Sequence, residues 1–263
     1  KKHLSSFQLI ILGFAGVILF GAIILMLPVS SAEGVMTPFN QTLFTSTSAV
    51  CVTGLAVLDT GSYWSVFGQV VILLLIQIGG LGVVTVAVSV FMLSGRKISL
   101  RQRRTMQNAI SAHKVGGIVR LTKFILKGTL FIEMAGALAL LPVFYHDFGR
   151  KGIWMAVFPS ISAFCNAGFD ILGTPANPCP SITAYAGNPS VNVVIMFLII
   201  AGGIGFLTWE DICINKIHFR KYHMQSKIIL VTTAFLIVLP AIFFFFSDFT
   251  HLSVRTRLLE STF

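Results

Sequence analysis

Two short uncharged segments could supply ligands to a cation that has left water. Ser48–Leu55 reads SAVCVTGL and Ser162–Phe169 reads SAFCNAGF, so both share S-A-x-C-x-x-G. Backbone carbonyl oxygens can replace a cation's hydration shell when several point the same way. Glycine permits the unusual dihedrals that this requires. We therefore predict two filter strands that bind a cation through carbonyls alone, formed by Val50, Cys51, Val52, Thr53 and Gly54 and by Phe164, Cys165, Asn166, Ala167 and Gly168.

A second pair of matching motifs follows the filter candidates. GGLG at residues 79–82 is matched by GGIG at residues 202–205. The two kinds of motif occur in the same order and between similar segments, which indicates an internal repeat. The glycines could be close-packing sites for helices, or they could be hinges in the second helix of each repeat. They are Gly79, Gly80, Gly82, Gly202, Gly203 and Gly205.

The acidic residues near these segments allow more than one interpretation. Asp59 and Asp170 follow the two filters, and they could concentrate cations in an outer vestibule or be ordinary loop acids or helix caps. Glu133 is an ionisable residue at membrane depth, which could be functional or could pair with a neighbour. An intramembrane enzyme would need a convergent set of acids, bases or metal ligands. Neither Glu133 nor the pair Glu210–Asp211 belongs to such a set in the sequence.

The elements that hold these residues are expected to be membrane helices. Hydrophobic residues make up 55% of the 263 residues and charged residues only 11%, whereas soluble domains carry about a quarter charged residues. Two uncharged stretches, 34–58 and 152–169, predict re-entrant hairpins, which survive at membrane depth only around protein or a water-filled cavity. We therefore predict an all-α membrane protein of repeated helix–pore loop–helix units around a central ion pathway. Five segments are apolar and long enough to span a bilayer: 7–28, 64–93, 128–145, 191–209 and 228–247.

The net charge of +10 is concentrated in one segment between two apolar stretches. Such a segment is typical of a cytoplasmic loop under the positive-inside rule, and it could also bind anionic lipid or a regulatory partner. It lacks the interleaved aromatic residues expected of nucleic-acid binding, so we expect no nucleic-acid partner. Its basic residues are Arg96, Lys97, Arg101, Arg103, Arg104, Lys114, Arg120, Lys123 and Lys127. We expect the side chains of Arg101, Arg103 and Arg104 to face a partner.

The repeat divides the chain into four parts. We predict a first repeat over 1–95, a basic cytoplasmic connection over 96–127, a second repeat over 128–213 and the start of a third over 214–263. The stretch from Thr174 to Asn188 is rich in proline and glycine and predicts an external loop. Thr256 to Phe263 resembles the beginning of a pore helix, so we interpret the sequence as truncated.

These motifs resemble those of a known family. SAVCVTGL, LDTGSYWSVFGQ and LIQIGGLG resemble the first repeat of the Trk/Ktr/HKT superfamily of potassium transporters, and SAFCNAGFDI and AGGIGF resemble its second repeat. One helix before the first filter is more similar to the Ktr-type membrane subunit than to the longer Trk type. In the family, Gly54 and Gly168 correspond to filter glycines, and glycine rather than serine at the first of them goes with K+ preference. Pro159 departs from the family pattern and is expected to kink the second pore helix.

The resemblance implies a multi-pass plasma-membrane protein with four repeats around one pore. It implies K+ uptake, often coupled to or stimulated by Na+, with no cofactor other than the transported ion. It also implies a homodimer resting on a ring of cytosolic nucleotide-binding regulatory subunits. The alternatives are a Na+ or non-selective monovalent cation transporter and, from another class, an intramembrane enzyme or a non-conducting scaffold.

Overall fold

The computed structural model of the chain describes residues 6–82, 85–86, 118–216, 218–247 and 254–262. Within these ranges the regular structure is helical, apart from two isolated β-bridges. This confirms the predicted all-α membrane class. The α-helices are α1 (Ser6–Met26), α2 (Phe39–Val50), α3 (Val66–Leu81), α4 (Ile118–Phe148), α5 (Lys151–Phe164), α6 (Pro189–Gly203), α7 (Phe206–Asn215), α8 (Met224–Ser247) and α9 (Val254–Thr262), and short 3-10 turns cover Pro28–Ser30, Thr183–Tyr185 and Phe219–Lys221.

The same three-helix arrangement occurs twice. A long helix, α1 or α4, is followed by a short helix, α2 or α5, and then by a return helix, α3 or α6. Both return helices begin at a side-chain cap. Ser65 accepts a hydrogen bond from the backbone N–H of Gly68 at 3.2 Å, and Asn188 accepts from Ser190 and Val191 at 3.1 and 3.3 Å. Such caps satisfy backbone N–H groups that a helix start leaves without a helical partner.

Three described helices are long and apolar enough to cross a bilayer, namely α1 over Phe7–Met26, α4 over Arg120–Phe148 and α8 over Met224–Ser247. They agree with the first, third and fifth predicted spans. α4 contains Pro142, α5 contains Pro159 and α8 contains Pro240. α5 continues through Pro159 to Phe164, so this proline does not end the second pore helix.

The fourth predicted span, 191–209, is wrong as a single helix. α6 ends at Gly203 and α7 starts at Phe206, and their axes differ by 98°. The φ of Gly205 is +81°, a conformation that favours glycine and cannot continue an α-helix. The second predicted span, 64–93, meets the same obstacle, because α3 ends at Leu81 and Gly82 has a φ of +80°.

The basic connection predicted over 96–127 lies only partly within the described residues. Arg120, Lys123 and Lys127 are exposed residues of α4, so this part is helical rather than a loop. The physical reason is that 118–127 has no helix-breaking residue and continues directly into the apolar helix. Six of the predicted basic residues lie outside the described residues: Arg96, Lys97, Arg101, Arg103, Arg104 and Lys114.

The largest buried cluster joins the two repeats. Val50, Trp64 and Ile72 of the first repeat pack in one cluster with Phe158 and Phe164 of the second. Trp154 of α5 also donates its indole N–H to the side chain of Gln69 on α3 at 2.8 Å. The repeats are therefore one packed unit, and the two short helices lie inside it.

Candidate ion pathway

The long and short helices of each repeat are fixed by matching close contacts. Ser46 of α2 donates its hydroxyl to the carbonyl of Ile18, and Ser160 of α5 donates to the carbonyl of Glu133, both at 2.7 Å. A glycine on each long helix makes room for this serine and for a leucine of the return helix. A Cβ there would lie 2.5 to 2.8 Å from their side chains, and the two sets are Gly21, Ser46 and Leu75 and Gly136, Ser160 and Leu198.

The segments after α2 and α5 follow the same backbone path. The first residue after each helix, Cys51 or Cys165, is right-handed, with φ of −84° and −76°. The next residue is left-handed, with φ of +56° at Val52 and +55° at Asn166. The glycine two residues later, Gly54 or Gly168, is again left-handed, with φ of +75° and +71°. Such alternation of handedness points carbonyls in directions that a helix or a strand does not allow.

The amide hydrogens of both segments are directed back into the short helices. The N–H of Cys51 donates to Thr47 and that of Thr53 to Ser48; in the second repeat, the N–H of Ala167 donates to Ser162, with distances of 2.8 to 2.9 Å. Successive right- and left-handed residues can form an anion-binding nest when their N–H groups are free. Here these groups are used within the fold. The negative ends of two helix dipoles also lie at this point, so the arrangement favours a cation.

The two segments approach each other at their glycines. A Cβ on Gly54 would lie 2.6 Å from the carbonyl oxygen of Ala167 and 3.2 Å from the Cα of Gly168. The left-handed φ and this contact both require glycine at residue 54. The structure therefore brings together the ends of both predicted filter strands.

The first residue of each predicted filter strand lies in a different environment from the glycine at its end. Val50 and Phe164 are buried, and their carbonyl oxygens would lie 2.2 and 1.7 Å from a Cβ on Gly79 and Gly202, respectively. These carbonyls therefore face the return helices at close range. The side chains of Cys165 and Ala167 are also buried, so these two residues can offer a cation only their backbone oxygens.

The glycine pairs on the return helices have separate roles. Gly79 and Gly202 lie against the ends of the short helices, and a Cβ on Gly80 would lie 2.6 Å from the sulfur of Cys165. Gly203 has only an ordinary contact, at 3.8 Å. Gly82 and Gly205 have left-handed φ and end the straight part of their segments. The sequence left close packing and helix interruption open as alternatives. In the structure Gly79, Gly80 and Gly202 are close-packing sites, whereas Gly82 and Gly205 interrupt the helical path.

A cavity of about 320 Å³ lies between the two glycine motifs. Gly79, Gly82 and Gly205 line it, together with Thr208 of α7 and Gln225 at the start of α8. It lies on the side of the return helices where they are interrupted. The side chains of Thr208 and Gln225 give this cavity polar groups.

Glu133 has a partner in the other repeat. Gln77 of α3 donates its side-chain N–H to the carboxyl oxygen of Glu133 at 2.9 Å, and the thiol of Cys165 lies 3.9 Å from the amide oxygen of Gln77. The side chain of Glu133 is 5% exposed. The sequence left a functional role and pairing with a neighbour open for Glu133, and this contact is a pairing with a neighbour. Gln77 could not be found from the repeat, since its equivalent in the second repeat is apolar.

The two outer aspartates, for which the sequence left a vestibule role and a structural role open, have different surroundings. Asp59 is buried, and its carboxylate accepts hydrogen bonds from the N–H and hydroxyl of Ser62, both at 2.6 Å, and from the N–H of Cys179 at 2.8 Å. It fastens the loop of the second repeat to the first. Asp170 is half-buried and accepts from the N–H of Leu172. Burial, and the nearby charge of Asp59, raise the pKa of Asp170.

The sequence matches the TrkH family, described as Cation transport protein, over residues 7–256. The chain belongs to the TrkH family. Membership agrees with the resemblance inferred from the filter motifs. The family consists of transport proteins, and this rules against the intramembrane-enzyme alternative. Among the described residues, no cluster of three or more His, Cys, Asp or Glu side chains could hold a metal ion.

Three named uptake proteins are similar in sequence to this chain of the TrkH family. Potassium/sodium uptake protein NtpJ of Enterococcus hirae is 41% identical over 249 residues, covering 94% of the chain and 54% of that protein. Ktr system potassium uptake protein B of Bacillus subtilis is 38% identical over 263 residues, covering 97% of the chain and 57% of that protein. Ktr system potassium uptake protein D of the same organism is 32% identical over 255 residues, covering 95% and 56%. The chain thus spans about half the length of the relatives it matches.

Proposed function

We propose that this chain forms two filter-bearing repeats of a K+ uptake subunit of the Trk/Ktr type in the plasma membrane. The observation that carries the proposal is the meeting of two segments with the same alternating backbone at Gly54 and Gly168. Each segment follows the negative end of a helix, and the N–H groups of residues 51–53 and 165–167 are bonded within the fold. K+ would bind to backbone carbonyls at residues 51–54 and 165–168, with no cofactor.

The choice of K+ rests on the relatives and on one residue. Two of the named relatives are potassium uptake proteins and a third is a potassium/sodium uptake protein. Gly54 goes with K+ preference in the family resemblance. The second candidate, transport of Na+ or of both ions, is favoured by the name of the Enterococcus relative, which has the highest identity of the three.

Serine substitutions at matched glycines test the filter. The full-length protein would be expressed in cells that lack K+ uptake, and growth and K+ influx would be measured at low K+. We expect Gly54→Ser and Gly168→Ser to lose K+ preference over Na+, because both glycines have left-handed φ at the meeting point. Gly34→Ser is the control, since Gly34 has a φ of +71° but a Cβ there would meet nothing within 4 Å.

The outcomes separate filter chemistry from backbone strain. An equal loss of K+ influx in Gly54→Ser, Gly168→Ser and Gly34→Ser would mean that backbone strain alone lowers expression. Unchanged preference for K+ over Na+ in both filter variants would refute the assignment. Rescue of growth by the parent establishes K+ uptake. Na+ influx without K+ influx would support the second candidate, a Na+ transporter, in place of a K+ transporter.

We further propose that the protein works as a homodimer on a cytosolic ring of nucleotide-binding regulatory subunits. The word "system" in the names of the Ktr relatives supports a multi-component assembly. The partner-facing residues proposed are Arg101, Arg103 and Arg104, which lie outside the described residues. Changing all three to Ala should abolish co-purification of the regulatory subunit, and intact co-purification would count against the assignment.

A further inference from the structure

A second, larger cavity lies beside the ion pathway, and Phe206 lines both cavities. It has a volume of about 690 Å³ between α4, α6 and α7, which is within the range of about 300–1,000 Å³ for ligand sites. Its walls are almost wholly apolar and include Ile132, Ala135, Phe197, Phe206 and Trp209. In a membrane protein, an apolar ligand for such a cavity is available from the bilayer itself.

One polar atom in this cavity wall has no partner. Thr129 of α4 lines the cavity and is 3% exposed, and its hydroxyl makes no hydrogen bond among the described residues. A buried hydroxyl without a partner destabilises the fold, because it has lost the hydrogen bonds that water would give. A bound molecule with an acceptor oxygen at this point would satisfy it.

The first repeat has an aromatic side chain at the position equivalent to Thr129. The matching contacts of Ile18 with Glu133 and of Gly21 with Gly136 align Phe14 of α1 with Thr129 of α4. Phe14 packs against the buried cluster that joins the repeats. The second repeat thus has a small side chain with a hydroxyl where the first has a large apolar one.

Positive charge lies at one end of the cavity. Arg120 and Lys127 are exposed, and each lies one helical turn before a phenylalanine of α4, Phe124 or Phe131, that lines the cavity. Residues one turn apart share a face of the helix. Lys127 is the last lysine or arginine of α4, so the hydroxyl of Thr129 lies near the boundary between headgroups and hydrocarbon.

We propose that this cavity binds one acyl chain of an anionic phospholipid of the inner leaflet. The acyl chain lies against Ile132, Phe197 and Trp209. An ester carbonyl of the lipid accepts the hydrogen bond of Thr129, and the phosphate lies over Arg120 and Lys127. The inference needs a membrane-embedded chain and a cavity that stays open to lipid in the full-length protein, and it does not depend on which ion is transported.

Trp209 provides the readout, because brominated acyl chains quench tryptophan fluorescence on contact. The full-length protein would be placed in membranes containing brominated phosphatidylglycerol, and the Trp209 signal would be obtained by difference from Trp209→Phe. We expect saturable quenching of this signal. Gly128→Leu should abolish it, since Gly128 lines the cavity and a Cβ there meets nothing within 4 Å, so leucine can fill the space without a clash.

Two further variants test the polar contacts. Thr129→Val keeps the shape and removes the hydroxyl, and should raise the half-quenching lipid concentration about fivefold, as expected for one hydrogen bond. Leu130→Val is its control, because Leu130 is an exposed neighbour on α4 that does not line the cavity. Changing Arg120 and Lys127 together to Gln should remove the preference for phosphatidylglycerol over brominated phosphatidylcholine.

Three quenching results would overturn the assignment of an anionic lipid to this cavity. Absence of Trp209 quenching in the parent would mean that something other than lipid fills the cavity. Quenching that is the same in Gly128→Leu and in the parent would place the lipid outside it. Equal quenching by both headgroups in the parent would overturn the assignment of an anionic lipid. Gly16→Leu on α1, which also meets nothing within 4 Å, controls for the general effect of adding leucine to a membrane helix.

Discussion

The contact between Gly202 and the end of the second pore helix gives the sharpest test of the pathway. A Cβ on Gly202 would lie 1.7 Å from the carbonyl oxygen of Phe164. Ordinary contact begins at about 3.4 Å, so in Gly202→Ala the helix α6 or the filter strand must move by about 1.7 Å. The oxygen belongs to the backbone and the position of a Cβ is fixed by the backbone of α6, so no side-chain rotation can relieve this contact.

Gly203 is a matched control on the same helix. A Cβ on Gly203 would lie 3.8 Å from the side chain of Asn166, which is an ordinary contact. Gly202 and Gly203 are the last two residues of α6, so the gain in helix propensity on changing either to Ala is similar and cancels between them. Overpacking costs about 1–3 kcal/mol, and only Gly202→Ala incurs it. The two variants therefore differ in one respect, the displacement of the filter.

K+ influx into depleted cells, normalised to the amount of protein in the membrane, is the assay. We expect Gly202→Ala to lower influx about tenfold or more, the effect of a loss of about 1.4 kcal/mol at the rate-limiting barrier, and Gly203→Ala to leave it within about twofold of the parent. If Gly202→Ala conducts like Gly203→Ala at equal expression, the return helix does not position the filter and the reasoning fails.

Three other contacts between the repeats can be tested in the same way. Gly80→Ala should lower K+ influx through its clash with the sulfur of Cys165, and Cys165→Ala in the same protein should restore part of it; no restoration would exclude this contact as the cause. Asp59→Asn should lower the unfolding temperature in detergent, since it replaces an acceptor of three hydrogen bonds at a cost of about 1–3 kcal/mol; an unchanged transition would contradict the fastening role. Glu133→Leu should destabilise the protein by about 1–3 kcal/mol by leaving the amide of Gln77 without its acceptor, and Gln77→Leu should compensate. Additive effects of these two changes, measured by thermal unfolding, would show that the pair does not interact.

The filter segments could be found from sequence because their chemistry is local. The S-A-x-C-x-x-G motif places a glycine a fixed distance after a short helix, and residues 50–54 and 164–168 follow the same path in both repeats. The left-handed residues Val52 and Asn166 could not be predicted. Asparagine is enriched in this conformation but most asparagines do not adopt it, and valine disfavours it, so sequence alone does not identify either position.

The interrupted helices show where hydropathy fails. The stretch 191–209 is uncharged and apolar except at Asn192 and Thr208, so hydropathy predicts one span. Gly205 turns the chain by 98° within that stretch. A glycine in an apolar run is equally compatible with a straight helix and a break, and only the packing of neighbouring helices decides between them.

The burial of Asp59 and Asp170 also depends on tertiary contacts. Asp59 and Asp170 follow the filters in similar ways along the sequence, yet Asp59 is buried under the loop containing Cys179, whereas Asp170 is only half-buried. A loop that is absent from the first repeat causes this difference. No periodicity within the sequence carries that information.

The sequence by itself determined the membrane class, the repeat and the two glycine-tipped filter candidates. These follow from composition, from the absence of charge and from short motifs, all of which act within a few residues. Only the tertiary structure decided which glycines pack and which interrupt a helix, that Gln77 pairs with Glu133, and that Thr129 faces an apolar cavity. These contacts join segments far apart in the chain, and their geometry exists only once the two repeats have packed together.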